Sequence, residues 1–406
     1  MKKSPALSSV EKGSLCAGCG LCEGVAGGAV TLESRGVGFP RPLQHAPLTA
    51  DQERSIAECC PGLKVEPWPN TEERPAHASW GPTILSATGF ASDEGVRFRC
   101  SSGGALSALA IHALERGLID QVLHIGADSD KPFGNTGKIS RSTLEILEGA
   151  GSRYAPSSPL QSIDELLEAG VPTLFIGKPC DVSALKRLGR LDARVDAVFP
   201  IKLSFFCGGV PSEEGARAIT RAMGLKPEEI VEFDFRGNGW PGLTVARDRA
   251  GREAKMKYEE SWGRYLSSQV QFRCRICPDP VGGVADIACA DAWYGGESGY
   301  PQFDEADGRS LILVRTEIGR QLFESASRSG AIFYEQLDPS EIDLMQPAQA
   351  RRKRLIAARM AACKIAGRPV PDTSGLRVGA ATRKASALAL AKEFMGTMRR
   401  IIQGRI

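Results

Sequence analysis

The sequence of 406 residues holds only four histidines, and His45, His77, His112 and His124 show no pairing at metal-ligand spacing. That removes the paired-histidine motifs of zinc hydrolases. No run of 18 apolar residues exists to cross a bilayer. The basic start Met1-Lys2-Lys3 leads into SPALSSVEKGS, which lacks the apolar centre of a secretory signal. No Walker-type phosphate loop occurs, and GNGWPG (237–242) fits G-x-G-x-x-G only formally. LTVARD behind it reads as a strand, where a dinucleotide site needs a helix. There is no internal repeat. No nucleic-acid recognition motif accompanies the basic residues, so no nucleic-acid partner is expected. With 42% hydrophobic and 24% charged residues, the expectation is a cytoplasmic globular protein of two or three domains.

Cysteine is what the sequence does have, twelve in all. In a reducing compartment that number points to metal or redox sites more than to disulfides. Cys16, Cys19 and Cys22, in CAGCGLCEGVAGG (16–28), carry the C-x2-C-x2-C opening of a ferredoxin run, but the fourth cysteine does not follow. Zinc ribbons use separated pairs, which this run fits poorly. ECCPG (58–62) offers Cys59 and Cys60 ahead of Pro61, and ferredoxin-type runs end in Cys-Pro. Cys60 is therefore the expected fourth ligand, with Cys59 or a three-cysteine site as alternatives.

A second group is built around Cys274 and Cys277 in FRCRICPDP, a single pair that cannot fill a four-thiolate site. Cys180 in GKPCD and Cys207 in FFCGG follow apolar strands into turns, and loops at strand ends are where α/β folds gather ligands. Cys180, Cys207, Cys274 and Cys277 are expected to hold a second cluster; the competing reading of Cys207 is an ordinary buried thiol. That ordinary reading is preferred for Cys100, Cys289 and Cys363.

Residues 1–66 read as a small cysteine- and glycine-rich domain, and PWPNTEERPAHASWGP (67–82) as a linker. Beyond it, GGALSALAIHALERG, SIDELLEAG and DVSALKRLG read as helices alternating with the strands QVLHIGA, TLFIG and IKLSFF. The fold class is thus mixed α/β with some parallel pairing, divided as 83–170 and 171–345. VEFDFRG, LTVARD, QVQFR and VADIACADAW suggest an antiparallel portion. Residues 351–406 hold fourteen Lys/Arg and two Asp/Glu, a net +12 against +3 for the whole chain, leaving −9 for the first 350. This basic helical tail (346–406), with Leu390, Phe394, Met398 and Ile401 at helical spacing, suits an acidic partner or an anionic membrane surface, which would place the protein at the inner membrane face. The alternative is a helix packed on the acidic body. The chain could also self-associate.

Seven ordered segments, CAGCGLCEG, CSSGGALSALAIHALERGLID, GSRYAPSSPL, LFIGKPCDVSALKRL, FFCGGVPSEEG, FRGNGWPG and CRICPDPVGGVADIACADAW, together resemble the coenzyme F-420 hydrogenase/dehydrogenase beta-subunit family across about residues 12–335. That resemblance implies an iron–sulfur flavoprotein oxidoreductase with FAD and one or two [4Fe-4S] clusters. By motif match, Ser101, Ser102, Gly103, Gly104, Arg153, Tyr154 and Lys178 would line the flavin site. The Ser-Gly-Gly turn also suits a phosphate, because glycines let backbone N–H groups approach an anion at a helix start. Lys178 could steady an anionic reduced flavin, with Asp181 or Asp279 as proton donor, although both acids also fit as structural turn residues. Expected partners are a ferredoxin-like electron donor and a small organic substrate. The alternatives are an electron-transfer subunit of a larger complex and a non-redox, zinc-stabilised protein of polysaccharide synthesis.

Overall fold

The computed structural model describes residues 3–35, 38–72, 74–295 and 302–406; Met1 and Lys2 lie outside them. An antiparallel hairpin, β1 (Val30–Arg35) and β2 (Phe39–Gln44), belongs to the N-terminal module. The central sheet starts with β3 (Leu85–Ala91), β4 (Gln121–Ala127), β5 (Asn135–Ser140), β6 (Thr173–Gly177) and β7 (Ile201–Phe205). A separate antiparallel sheet of β8 (Ile230–Asp234), β9 (Leu243–Asp248) and β10 (Glu253–Lys257) follows. The chain then returns with β11 (Ile287–Asp291), β12 (Ser310–Val314) and β13 (Ile332–Gln336), giving the order β13-β3-β12-β11-β7-β6-β4-β5.

Within that sheet β4, β6, β7 and β11 run parallel. Parallel neighbours need crossovers, supplied by helices Ile163–Ala169 and Pro179–Gly189. Gly170 ends the first in the left-handed conformation (φ 65°), a position that glycine fills without strain. One face of the sheet packs on helices Ala105–Glu115 and Glu317–Arg328 through Leu109, Leu174, Leu203, Ile312 and Phe323. The other packs on Pro179–Gly189, and its apolar cluster runs on into Leu15, Cys16 and Cys59 of the N-terminal module and Ile356, Met360 and Leu376 of the tail. The alternation expected from the sequence is therefore present, and strand β9 follows GNGWPG as read.

Two expectations change. The segment 67–82 is not a free linker: Trp68 and Trp80 are 3% and 1% exposed, and Trp80 stacks on Phe206 at 5.9 Å between ring centroids. Two large apolar rings outweigh the proline-rich, polar composition around them. Second, only 230–257 forms the antiparallel sheet. QVQFR lies across a 3-10 turn (Ser267–Gln269) and the short helix Phe272–Arg275, and IACAD is strand β11 of the central sheet. Among the described residues no helix is long and apolar enough to cross a membrane.

The tail forms helices Pro347–Ile365, Val378–Thr382 and Ala387–Ile402. The last leans on the first with Leu390, Phe394, Met398 and Ile401 half-buried. Arg359 and Arg351 reach Glu393 at 2.9 and 3.7 Å, and Arg354 pairs with Asp343. Part of the tail's charge is thus turned inward.

Trp80→Ala should cost about 3–5 kcal/mol, the range for emptying a buried aromatic site; a loss under about 1 kcal/mol in urea titration would show the segment to be loosely held. His77, His112 and His124 all have pKa values lowered first by burial. The unfolded chain takes up these protons near pH 6.5 while the folded chain resists. Unfolding free energy should therefore fall as pH drops below about 6.5, and His124→Gln should flatten that slope in pH-dependent urea titrations.

Candidate cluster and flavin site

The sequence places its cysteines where backbone geometry turns them into two hollows. Thr49 and Gln52 exchange hydrogen bonds (2.9 and 3.2 Å) that start helix Ala50–Cys59. Pro61 disfavours helix at the preceding residue, and Cys60 accordingly leaves the helix in an extended conformation (φ −64°, ψ 118°). Cys60 faces Cys16, Cys19 and Cys22 across a pocket walled also by Leu7, Ile56 and Pro61. Cys59 stays helical and fully buried, in the field of Glu58, Glu66 and Arg187. The Cys16–Cys22 loop turns at Gly20 (φ 90°), where a Cβ would lie 2.6 Å from the Gln161 nitrogen. The loop is gripped from outside: Ser158 Oγ donates to the Gly18 carbonyl at 3.0 Å and the Leu160 N–H to that of Cys19 at 2.9 Å.

The second hollow lies at the carboxyl edge of the parallel strands. Cys180 enters helix Pro179–Gly189 just after β6, and Cys207 follows β7. Cys274 sits in helix Phe272–Arg275 and Cys277 just beyond it. All four line one pocket with Lys178, Arg273, Asp279 and Arg352. The Val210 N–H points at Cys274 Sγ (3.4 Å), an N–H···S contact of the kind that tunes iron–sulfur centres. The eight expected ligands thus gather as two sets of four, and Cys59 is left out of both.

Burial dominates the electrostatics. It pushes Cys19, Cys22 and Cys180 well up, Cys60 up to about 11 and Cys207 up to about 12, and neighbouring thiols add to the effect. It also raises Cys16 and Cys277, against the pull of Arg41 and Arg273 respectively. Cations gather in response. Burial would lower Lys178, but the Asp181 carboxylate at 2.8 Å outweighs it and holds the ammonium charged. The Lys178 ammonium also donates to Ser157 Oγ at 2.7 Å. From the tail, Arg352 donates to the Cys207 and Gly208 carbonyls at 3.1 and 2.6 Å. Lys353 lies over the Trp68 ring at 3.8 Å and donates to the Pro278 carbonyl. Burial brings its pKa down to about 8.

Asp181, fully buried, accepts from the Lys178 N–H at 3.0 Å; burial raises its pKa and the Lys178 ammonium opposes the rise. Asp279 accepts from the Val281 and Gly283 N–H groups at 3.0–3.2 Å. Each acid caps its own turn.

The residues expected for a flavin lie at the same sheet edge. Ser101 Oγ bonds Ser152 Oγ (2.6 Å), Ser102 Oγ donates to the Ala290 carbonyl (3.0 Å), and the Gly103 carbonyl accepts from the Ala91 N–H. Gly104 precedes helix Ala105–Glu115 with no side-chain cap, which leaves first-turn N–H groups for another acceptor. Arg153 is tied down within the protein, donating to Asn135 Oδ1 (2.6 Å) and to the carbonyls of Gly134, Pro132 and Phe233. Tyr154 joins an aromatic wall with Phe235, Tyr258 and Trp262. Next to it, Arg236 makes two bonds to Asp291 (2.7 and 2.9 Å) and lies over Tyr258 and Trp293.

The donor set fits iron–sulfur clusters. Among the described residues no group of three or more His, Cys, Asp or Glu side chains is placed to hold a metal ion. Four thiols around one hollow would be the ligands of an iron–sulfur cluster held there. Arg273, which lines the second hollow, has its buried Nε without a hydrogen-bond acceptor among the described residues. Sequence reasoning missed Arg273, Arg352 and Lys353; the RRKR run (351–354) was visible only as charge, without its direction.

The region 86–164 matches the N-terminal model of the coenzyme F420 hydrogenase/dehydrogenase beta subunit, and 172–340 matches the C-terminal model. The chain is similar to the coenzyme F420 hydrogenase subunit beta of Methanococcus voltae, with 26% identity over 71% of this chain and 97% of that protein. It is also similar to the F420-dependent formate dehydrogenase subunit beta of Methanocaldococcus jannaschii, with 28% identity over 62% of this chain and 61% of that one. A solved chain of the F420-reducing [NiFe] hydrogenase complex from Methanosarcina barkeri shares the fold (TM-score 0.56, 18% identity, covering 74% of this chain and 99% of that one). With both family regions in order around the carboxyl edge of the sheet, the chain belongs to the coenzyme F420 hydrogenase/dehydrogenase beta-subunit family.

Proposed function

We propose that this chain is an iron–sulfur flavoprotein oxidoreductase acting as the electron-handling beta subunit of a larger complex. The observation that carries this reading is the pair of hollows, each walled by four cysteines from segments far apart in sequence. Each would hold one [4Fe-4S] cluster, and the Ser101–Gly104 turn at the neighbouring edge would take a phosphate of FAD. Bound there, the flavin would exchange an electron pair with a small molecule and the clusters would carry those two electrons singly. The chain's own residues do the rest. Lys178, fixed by Asp181 and Ser157, sets a buried positive charge beside the second hollow, and Arg352 fastens the loop that presents Cys207.

The names of the relatives make a deazaflavin of the F420 type the first substrate to test. The same residues would serve a ferredoxin-like donor feeding an unsaturated or hydroxylated molecule. The partner subunit meets the outer face of Ala387–Ile402, where exposed Leu388, Met395 and Ile402 stand seven residues apart beside Lys392 and Arg399, a face suited to an acidic, partly apolar protein surface.

Anaerobically purified protein should contain about eight irons with matching sulfide, together with one FAD. Zinc without iron or flavin overturns the reading. Cys60→Ser should lose about four irons while Cys59→Ser keeps about eight; equal loss from both variants would reject the assignment of Cys60. Stopped-flow mixing with reduced F420 should bleach the flavin absorbance, whereas bleaching by reduced ferredoxin alone would select the other electron donor.

A further inference from the structure

Gln271 and Arg273, just ahead of Cys274, are buried at the junction of the two hollows. Ala17 walls both of them. Gln271 Nε2 donates to the Ala17 carbonyl at 3.4 Å and points at Cys274 Sγ at 3.6 Å, so one amide touches a loop of the first site and a ligand of the second. Its Oε1 accepts from Arg41 at 3.1 Å, and Arg41 acts on Cys16. Arg273, 3% exposed, donates through Nη2 to the carbonyl of Pro61 at 2.5 Å, the residue after Cys60. Its field reaches Cys16 and Cys60 on one side and Cys277 on the other. No carboxylate stands within ion-pair distance of it among the described residues, and its Nε is without an acceptor.

The other cations beside the hollows differ in place: Lys178 is paired with Asp181, and Arg352 and Lys353 bond to the Cys207, Gly208 and Pro278 carbonyls, all in loops of the second site. A buried charge without a counter-ion acts strongly on its surroundings because little water screens it. The potential of an iron–sulfur centre follows its net charge and the hydrogen bonds to its sulfurs.

We propose that Arg273 is a positioning residue shared by the two cluster sites, a buried cation at their junction that raises the reduction potentials of both centres together while its bond to Pro61 holds the first site against the second. The proposal rests on the cluster reading above. It predicts that removing the charge moves two centres at once, which a residue serving one site cannot do.

The test is a redox titration of the full chain followed by electron paramagnetic resonance, with iron counted on each sample. Arg273→Gln should make both centres about tenfold harder to reduce, near 59 mV each for a one-electron couple, and Arg273→Lys should restore both. Arg352→Gln should move only one. A shift confined to one centre in Arg273→Gln, or none, with about eight irons retained, overturns the proposal. Wild-type protein with too little iron for two clusters overturns the cluster reading itself. Should Arg273→Gln fail to keep its iron, Gln271→Glu sets a negative charge at the same junction and must lower both potentials; a change at one centre alone is again decisive against a shared cation.

Discussion

Burial of sulfur is the constraint on which the rest of the structure depends. A thiol sealed from water keeps its proton, because the interior penalises the thiolate. The rise of Cys60 to about 11 and of Cys207 to about 12 shows how strongly these hollows resist it. Eight cysteines so placed can give up their protons only against positive charge, from metal and from the protein. The protein's share comes from four places: Lys178 at the end of β6, Arg273 before Cys274, Arg41 beside the first hollow, and Arg352 and Lys353 from the tail. Arg273 and Lys353, buried with no carboxylate in ion-pair reach among the described residues, carry a desolvation cost that an anion beside them would offset. Cations and thiols make sense as one assembly.

That assembly explains why the sheet edge is the meeting point. Strands β6 and β7 are held by parallel neighbours on both sides, so the turns after them present Cys180 and Cys207 from rigid supports. The remaining cysteines sit on loops that must be brought to that edge. Residues 157–160 do this in one stroke, with Ser157 on the Lys178 ammonium and Ser158 and Leu160 on the loop of Cys16–Cys22. The first site is thereby referenced to the same lysine that serves the second.

What the sequence made legible follows the same physics. Cysteine spacing in CAGCGLC is local chemistry, so it could be read directly, and the Cys-Pro ending of a ferredoxin run is what singled out Cys60 over Cys59. The βα alternation was legible because buried parallel strands are continuous apolar runs. Direction was not. The tail's +12 says nothing of whether Arg352 and Lys353 point outward or into the core, and composition could not reveal that Trp68 and Trp80 anchor a stretch rich in proline. QVQFR alternates like a strand, yet its bonds to Ala17 and Pro61 require Gln271 and Arg273 on adjoining sides of a short helical turn. There, tertiary contacts override local pattern.

The two family regions stop short of both ends of the chain, at residues 86 and 340. The first cysteine set lies before the first limit, and Arg352 and Lys353 lie after the second. These outlying parts share one apolar cluster, in which Leu15 and Cys16 lie with Ile356, Met360 and Leu376. Their meeting is a packing consequence: the N-terminal module keeps a small cluster of its own around Leu7, Val30 and Ile56, and its remaining apolar face is buried with the tail's on the helix Pro179–Gly189 side of the sheet. Once packed there, the N-terminal module and the tail stand within reach of the same sheet edge. Arg352 and Lys353 are thereby brought onto the loops of the second site, while Lys392 and Arg399 stay on the outer face of the last helix.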